Sequence, residues 1–301
     1  MKISSKFFSI FIFFFLCLFC TSCDIYFEKS ILKLTKQYNL QVINPYVEIA
    51  QNFIDKLTKV KRDPAFTHID YALLWVSHSA EYDALCYQAY NLAKLRLDQR
   101  LALRLNKKPA VVLDLDETVL NNLPYYLALY FEGEEFSDET WNNWVEHRSA
   151  KAIPGAKEFL DYAQSKNVEI FYVSNRSEKN IDATFDNIAA LGLPINRANL
   201  MLKTDSESKE TRREEIRKNY EVILLVGDNL IDFDNNFDKK PSSKHRTELV
   251  IKNNKIYGDK YIVLPNPLYG QWFSSLLNYD YDRTLEEKYK LTKQSLLNLS
   301  H

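Results

Sequence analysis

Asp114 and Asp116 stand two residues apart at the end of the apolar run Ala110–Leu113. Such an uncharged, β-branched run has the composition of a buried parallel strand. The C-terminal end of that kind of strand is where open α/β sheets place their chemistry. Two carboxylates there can share the work of moving a phosphoryl group. Asp114 can attack phosphorus and form an aspartyl-phosphate, which splits one hard step into two. Asp116, on the same side of the extended chain, can protonate the departing alcohol and then deprotonate the attacking water. A lone Asp-x-Asp is weak evidence, because paired carboxylates are also common as solvated turn residues.

Three further segments supply the missing parts. Val-Ser-Asn-Arg at 173–176 ends a second apolar run. The Ser174 hydroxyl and the backbone N–H of Asn175 can donate to phosphate oxygens, although either residue can instead cap the next helix. Lys209 stands near the start of a charged helical segment, where a cation opposes the helix dipole. It makes sense there if its ammonium reaches a phosphate; otherwise it is one solvated charge among many, and Lys203 is the alternative. Gly-Asp-Asn-Leu-Ile-Asp at 227–232 follows the apolar run Val222–Val226. Asp228 and Asp232 are four apart and would share a helix face. Hard carboxylate oxygens suit Mg²⁺, with Asp228 as a direct ligand and Asp232 acting behind it or through water. As a pair alone they could equally be caps. The four segments in this order, each after its own strand, are together unlikely by chance.

The elements that must hold these residues alternate. Strands are expected at Val111–Leu115, Val168–Val173, Asn199–Leu202, Val222–Val226 and Tyr261–Leu264. Helices are expected at Pro154–Lys166 and Glu178–Leu191, with a charged surface helix at Glu207–Asn219 and a terminal helix at 281–299. This series predicts an α/β fold, a Rossmann-like parallel sheet flanked by helices with right-handed crossovers. Helices precede the sheet: an apolar stripe at 47–60, then one or two long helices over 66–105. Residues from 121 to about 153 interrupt the alternation with Tyr125, Tyr126, Trp141, Trp144 and other aromatics. Their placement favours a small helical cap over the catalytic end.

The bulk properties exclude some partners. A net charge of -1 gives no electrostatic case for nucleic acid. Only six glycines occur, which argues against a Gly-rich phosphate loop. The five histidines show no metal-ligand spacing. At the N-terminus, Lys2 and Lys6 precede the apolar run Phe7–Phe19, and small residues lead into Cys23. That pattern reads as a lipoprotein signal peptide over 1–22 with Cys23 as the acylated N-terminus; an uncleaved anchor and a plain secretory signal are the alternatives. A tether over 23–43 and one catalytic domain over 44–301 follow. The expectation is an exported, lipid-anchored protein of the cell envelope, in the outer membrane. Cys86 lies in a helical pattern and reads as a small core residue.

Asp-Leu-Asp-Glu-Thr-Val-Leu at 114–120, Phe-Tyr-Val-Ser-Asn-Arg at 171–176 and Val-Gly-Asp-Asn-Leu-Ile-Asp-Phe at 226–233 resemble one branch of the haloacid-dehalogenase-like superfamily, the class C acid phosphatases. Ser-Ala-Glu-Tyr-Asp-Ala-Leu at 79–85 and Leu-Pro-Asn-Pro-Leu-Tyr-Gly-Gln-Trp at 264–272 match that branch too. The resemblance implies a Mg²⁺-dependent acid phosphatase acting on small-molecule phosphomonoesters, including nucleoside 5′-monophosphates. It implies Asp114 as nucleophile and Asp116 as acid–base. Asp114, the main-chain carbonyl of Asp116 and Asp228 would hold the metal, and Ser174 and Lys209 the phosphate. Trp141 and Tyr269 would sandwich the substrate's ring, a role aromatic faces suit. It also implies secretion or a lipid anchor and leaves room for a homodimer. Asn121 departs from the family's usual Asp. Two alternatives stand beside this: another phosphomonoester such as nicotinamide mononucleotide or a sugar phosphate, and an envelope lipoprotein that binds a ligand on a decayed phosphatase scaffold.

Overall fold

The computed structural model describes residues 67–204 and 208–297. The signal segment, Cys23, the tether and the apolar stripe at 47–60 lie outside the described residues. The described chain opens with α1 (Thr67–His78) and α2 (Ala80–Leu101). Ser79 separates them: its backbone is extended, and its hydroxyl accepts from the Tyr82 N–H at 3.1 Å, capping α2. Strand β1 (Lys108–Leu113) follows. A short antiparallel pair, β2 (Leu120–Asn121) and β3 (Lys151–Ala152), brackets α3 (Leu123–Glu132) and α4 (Asp138–Glu146). The chain then alternates through α5 (Ala156–Ser165), β4 (Glu169–Ser177), α6 (Ile181–Ala190), β5 (Leu200–Lys203), α7 (Lys209–Asn219) and β6 (Tyr220–Gly227). It continues with α8 (Ser243–Lys252), β7 (Tyr261–Val263), α9 (Gln271–Leu276) and α10 (Leu285–Leu297).

The sheet is five-stranded and parallel throughout, in the order β5-β4-β1-β6-β7. The chain starts at the centre, runs to one edge, returns and fills the other side. β1 therefore lies between β4 and β6, and the strand order reverses beside it. A crevice opens at such a reversal, outside the carboxyl ends of the strands, and ligands bind there. The expected α/β class with a parallel sheet flanked by helices holds.

The strands bury both faces by alternation. Val111, Leu113, Ile170 and Tyr172 pack into one cluster with Cys86, Ala93 and Leu97 of α2 and Phe159 and Leu160 of α5. Ala110, Val112, Phe171 and Val173 face the other way, with Ile216 of α7. In β6 both Ile223 and Leu224 join the first cluster, because the β1–β6 register slips by one residue at that point. Burial pushes the Cys86 thiol up to about 12. It is a core residue, as its helical context suggests.

Three local expectations need correction. Ser174, Asn175 and Arg176 lie inside β4, which runs on to Ser177, rather than beyond the strand. The segment at 207–219 is not simply a surface helix: Lys209, Arg212, Arg213 and Ile216 are buried. Three inward cations at helical spacing read as solvated charge until their acceptors, far along the chain, are known. Helices α8 and α9 were not expected: Ser243–Lys252 buries fully only Arg246 and carries no apolar stripe, and Gln271–Leu276 is too short to show one.

One bond links the helical layer to the chemistry-bearing loop. The Tyr90 hydroxyl of α2, buried against Phe159, donates to the Thr118 carbonyl at 2.5 Å. Removing it strands a buried carbonyl. Tyr90→Phe is expected to cost about 1–2 kcal/mol in urea unfolding; unchanged stability would show that the carbonyl does not depend on this donor.

Candidate active site

The loop after β1 is wound tightly. The Asp114 N–H donates to the Val226 carbonyl at 3.0 Å, fastening the end of β1 to β6. The Leu115 carbonyl accepts from the N–H groups of Thr118, Val119 and Leu120 at 3.3, 2.8 and 2.8 Å. This turn puts Glu117 at φ 57°, a region that non-glycine residues rarely occupy. Glu117 is held there on three sides. Its N–H donates to the Leu120 carbonyl at 2.8 Å, and its carboxylate accepts from the Asn122 N–H at 2.8 Å and from the Tyr269 hydroxyl. Burial, followed by the neighbouring Asp116 charge, pushes Glu117 up to about 8.

Asp114, Asp228 and Asp232 each place a carboxylate oxygen within 4.8 Å of the other two. Asp228 follows β6, and its two oxygens accept from Thr118 Oγ1 at 3.2 Å and Asn266 Nδ2 at 2.9 Å. Asp232 closes a short 3-10 turn over Leu230–Asp232, with Oδ2 accepting from the Asn229 N–H at 2.9 Å. Its side chain folds back onto Gly227, where an added Cβ would lie 2.5 Å from both Asp232 Cβ and Oδ2. Only a glycine allows this approach.

Lys209, the first residue of α7, reaches into the cluster. Its Nζ donates to Asp114 Oδ1 at 2.5 Å and Asp232 Oδ1 at 2.6 Å. Burial alone would lower this ammonium, but the Asp114 and Asp232 carboxylates raise it above the usual lysine range. Asp114 is pushed up to about 7 by burial; Lys209 opposes this, and the Asp232 and Asp116 charges reinforce it. Burial, then the Asp232 and Asp114 charges, raise Asp228 well above the ordinary carboxylate range. Three carboxylates against one ammonium leave an excess of negative charge in a desolvated place. Hard oxygens so arranged fit a divalent cation of the Mg²⁺ class.

The same face of α7 braces both flanking segments. Arg212 Nη1 donates to the Ser174 and Met201 carbonyls at 2.6 and 2.9 Å, and its Nη2 donates to Asn175 Oδ1 at 3.1 Å. Arg213 Nη1 donates to the Ile231 and Asp232 carbonyls at 3.0 and 2.7 Å. Lys203, the alternative cation, is exposed on β5 and outside this group.

Beside the cluster, Asp116 pairs with Arg176 and accepts from Asn122, and the Ser174 hydroxyl lies 3.4 Å from its Oδ2. The side chain of Asn175 is exposed. The two aromatics singled out from the sequence approach from different elements. Trp141 of α4 lies with its ring centroid 5.7 Å from the Arg176 guanidinium and packs edge-on against Tyr125 at 5.1 Å. Tyr269 stacks on Tyr126 at 5.0 Å while its hydroxyl bonds Glu117. Asp114, Asp228, Asp232 and Lys209 are thus brought together, with Asp116 and Ser174 next to them. Sequence reasoning missed Arg176, Asn122, Glu117 and Asn266. The available signal was adjacency: each lies within two residues of a motif position or inside a matched segment.

The model of the HAD superfamily, subfamily IIIB (acid phosphatase), matches residues 36–272, and the chain belongs to this family. Among solved structures, the class C acid phosphatase from Bacillus anthracis is 37% identical, with a TM-score of 0.71 over 75% of this chain and 95% of that one. The same enzyme with tungstate bound aligns with a TM-score of 0.72. Acid phosphatase 1 of Solanum lycopersicum is 25% identical over 128 residues, 40% of this chain and 50% of that protein. Vegetative storage protein 1 of Arabidopsis thaliana is 24% identical over 173 residues, 54% of this chain and 61% of that protein. The match therefore spans half to three-fifths of the length of these two relatives.

The close approach at Gly227 gives a direct test. Gly227→Ala must displace Asp232 and is expected to lower stability by about 1–3 kcal/mol in a thermal or urea melt. Wild-type stability would contradict the contact.

Proposed function

We propose that this chain is a Mg²⁺-dependent phosphomonoesterase that works through an aspartyl-phosphate on Asp114. The observation that carries the proposal is the Lys209-bridged carboxylate cluster at the reversal of strand order, with Asp116 and Ser174 beside it. Asp114, the main-chain carbonyl of Asp116 and Asp228 would hold the ion, with Asp232 kept behind them by Lys209. When bound, the ion neutralises the phosphoryl oxygens and offsets the crowded carboxylates. The Asp114 carboxylate attacks phosphorus in line with the leaving oxygen. The P–O bond to the leaving group breaks, and that oxygen takes a proton from Asp116. Water then attacks the aspartyl-phosphate and returns a proton to Asp116. Ser174 Oγ and the Asn175 N–H donate to the phosphoryl oxygens. Lys209 has three N–H donors, and two engage Asp114 and Asp232, so one remains for phosphate. The tungstate bound by the Bacillus anthracis relative is a tetrahedral oxyanion like phosphate, which supports an oxyanion site here.

Nucleoside 5′-monophosphates are the proposed substrates. Trp141 and Tyr269 support this, because both rings are anchored to neighbours of Asp116, through Arg176 and Glu117. Nicotinamide mononucleotide shares that aromatic character and sugar phosphates do not, so a panel of the three separates the choices. The intact acidic set leaves the decayed-scaffold alternative without support. The N-terminal pattern supports export and a lipid anchor at Cys23; no helix among the described residues is long and apolar enough to cross a membrane.

Two measurements test this. Asp114→Asn should abolish release of phosphate from p-nitrophenyl phosphate, and EDTA should do the same reversibly to the wild type, with Mg²⁺ restoring it. Turnover by the variant at the wild-type rate would remove Asp114 as nucleophile. Cys23→Ala should move the protein from the detergent phase to the aqueous phase in Triton partition; an unchanged distribution would refute the anchor.

A further inference from the structure

Arg176 is charged yet its side chain is only 1% exposed, and the proposed chemistry assigns it nothing. Its guanidinium grips Asp116: Nε donates to Oδ1 at 2.9 Å and Oδ2 at 3.2 Å, and Nη2 donates to Oδ1 at 2.7 Å. Asn122 Nδ2 adds a third donor to Oδ1 at 2.9 Å. Oδ1 thus receives three good hydrogen bonds. Among the described residues, Oδ2 receives only the longer Nε contact and the Ser174 hydroxyl at 3.4 Å. An oxygen surrounded by three N–H donors has no room for a proton of its own. The two oxygens of Asp116 are therefore unequal.

The grip is itself fixed from the helical insertion between β2 and β3. Trp141 covers the guanidinium at 5.7 Å, and Trp144 Nε1 donates to Asn122 Oδ1 at 2.9 Å. Arg176 Nη2 also donates to that Asn122 oxygen at 3.3 Å, and Nη1 donates to Thr184 Oγ1 at 3.4 Å. A planar fork bonded through Nε, Nη1 and Nη2 at once has one orientation, which a lysine's single point of attachment cannot reproduce.

We infer that Arg176 is a positioning residue that locks Asp116 through Oδ1 and leaves Oδ2, beside Ser174, as the oxygen that exchanges protons with substrate and water. The inference rests on Asp116 as the proton donor of the proposed reaction. In the first step the proton leaves Oδ2 for the departing alkoxide as its bond to phosphorus breaks. In the second, Oδ2 recovers a proton from the attacking water.

The test compares kcat/KM for two monoesters, p-nitrophenyl phosphate and glycerol 1-phosphate. kcat/KM reports the transfer to Asp114 and is blind to later release of phosphate. Nitrophenolate departs without much help, whereas an aliphatic alkoxide needs its proton. Arg176→Met should lose at least ~10-fold more on glycerol 1-phosphate than on p-nitrophenyl phosphate, as general-acid assistance predicts. Arg176→Lys should fall between it and the wild type. A purely structural role would lower both esters equally, and that result, or no loss at all, overturns the inference. Should the Arg176 variants fail to fold, Asn122→Ser removes another Oδ1 donor and must show the same bias, or the inference fails. Asp116→Asn is the reference: equal losses on both esters there would refute Asp116 as donor and Arg176's role with it. Wild-type protein that hydrolyses neither ester would instead refute the phosphatase reading itself.

Discussion

The constraint on which this structure depends is like-charge crowding in a desolvated place. Asp114, Asp228 and Asp232 bring oxygens within 4.8 Å of one another, where repulsion and lost hydration both oppose ionisation. Lys209 answers part of that charge from inside, with short bonds to two of the three. Breaking such a buried pair by removing one partner leaves an uncompensated charge and is strongly destabilising. A bound divalent cation would answer the rest. The same imbalance is what suits the cluster to a divalent cation.

Most of the surrounding architecture keeps these groups from moving apart. The reversal of strand order beside β1 makes the ends of β1, β4 and β6 neighbours, so residues more than a hundred positions apart meet. Gly227 lets Asp232 lie against the end of β6. Arg212 and Arg213 grasp main-chain carbonyls on the two flanking segments from a single helix face. Thr118 and Asn266 hold the two oxygens of Asp228. These bonds run mostly to carbonyls and carboxylates that would otherwise be buried without partners, so positioning and stability have a common origin.

Legibility in the sequence followed the range of the interaction. The runs Val111–Leu113 and Val222–Val226 read as buried strands because parallel sheets covered on both faces need unbroken apolar residues. The Asp-x-Asp and Gly-Asp-x-x-x-Asp segments were readable because the two carboxylates of each pair lie within four residues of one another. Arg176 was not, since its acceptor Asp116 is 60 positions away and a buried guanidinium looks like any other arginine in a string. The inward face of α7 escaped for the same reason: Lys209, Arg212 and Arg213 read as a charged surface until their acceptors on β4 and after β6 are in place. Gly227 was legible as part of a motif, but its physical reason, the Asp232 carboxylate lying on top of it, appears only in three dimensions.

The central claim is that these carboxylates, Lys209 and Ser174 surround one metal-assisted phosphoryl site. A crystal structure of the protein grown with Mg²⁺ and orthovanadate tests it most directly. The account predicts a single Mg²⁺ bound by Asp114, the Asp116 carbonyl and Asp228, with vanadium facing the Asp114 carboxylate and its oxygens on Ser174 and Lys209. Magnesium or vanadate bound elsewhere, with this cluster left bridged by Lys209 alone, would contradict it.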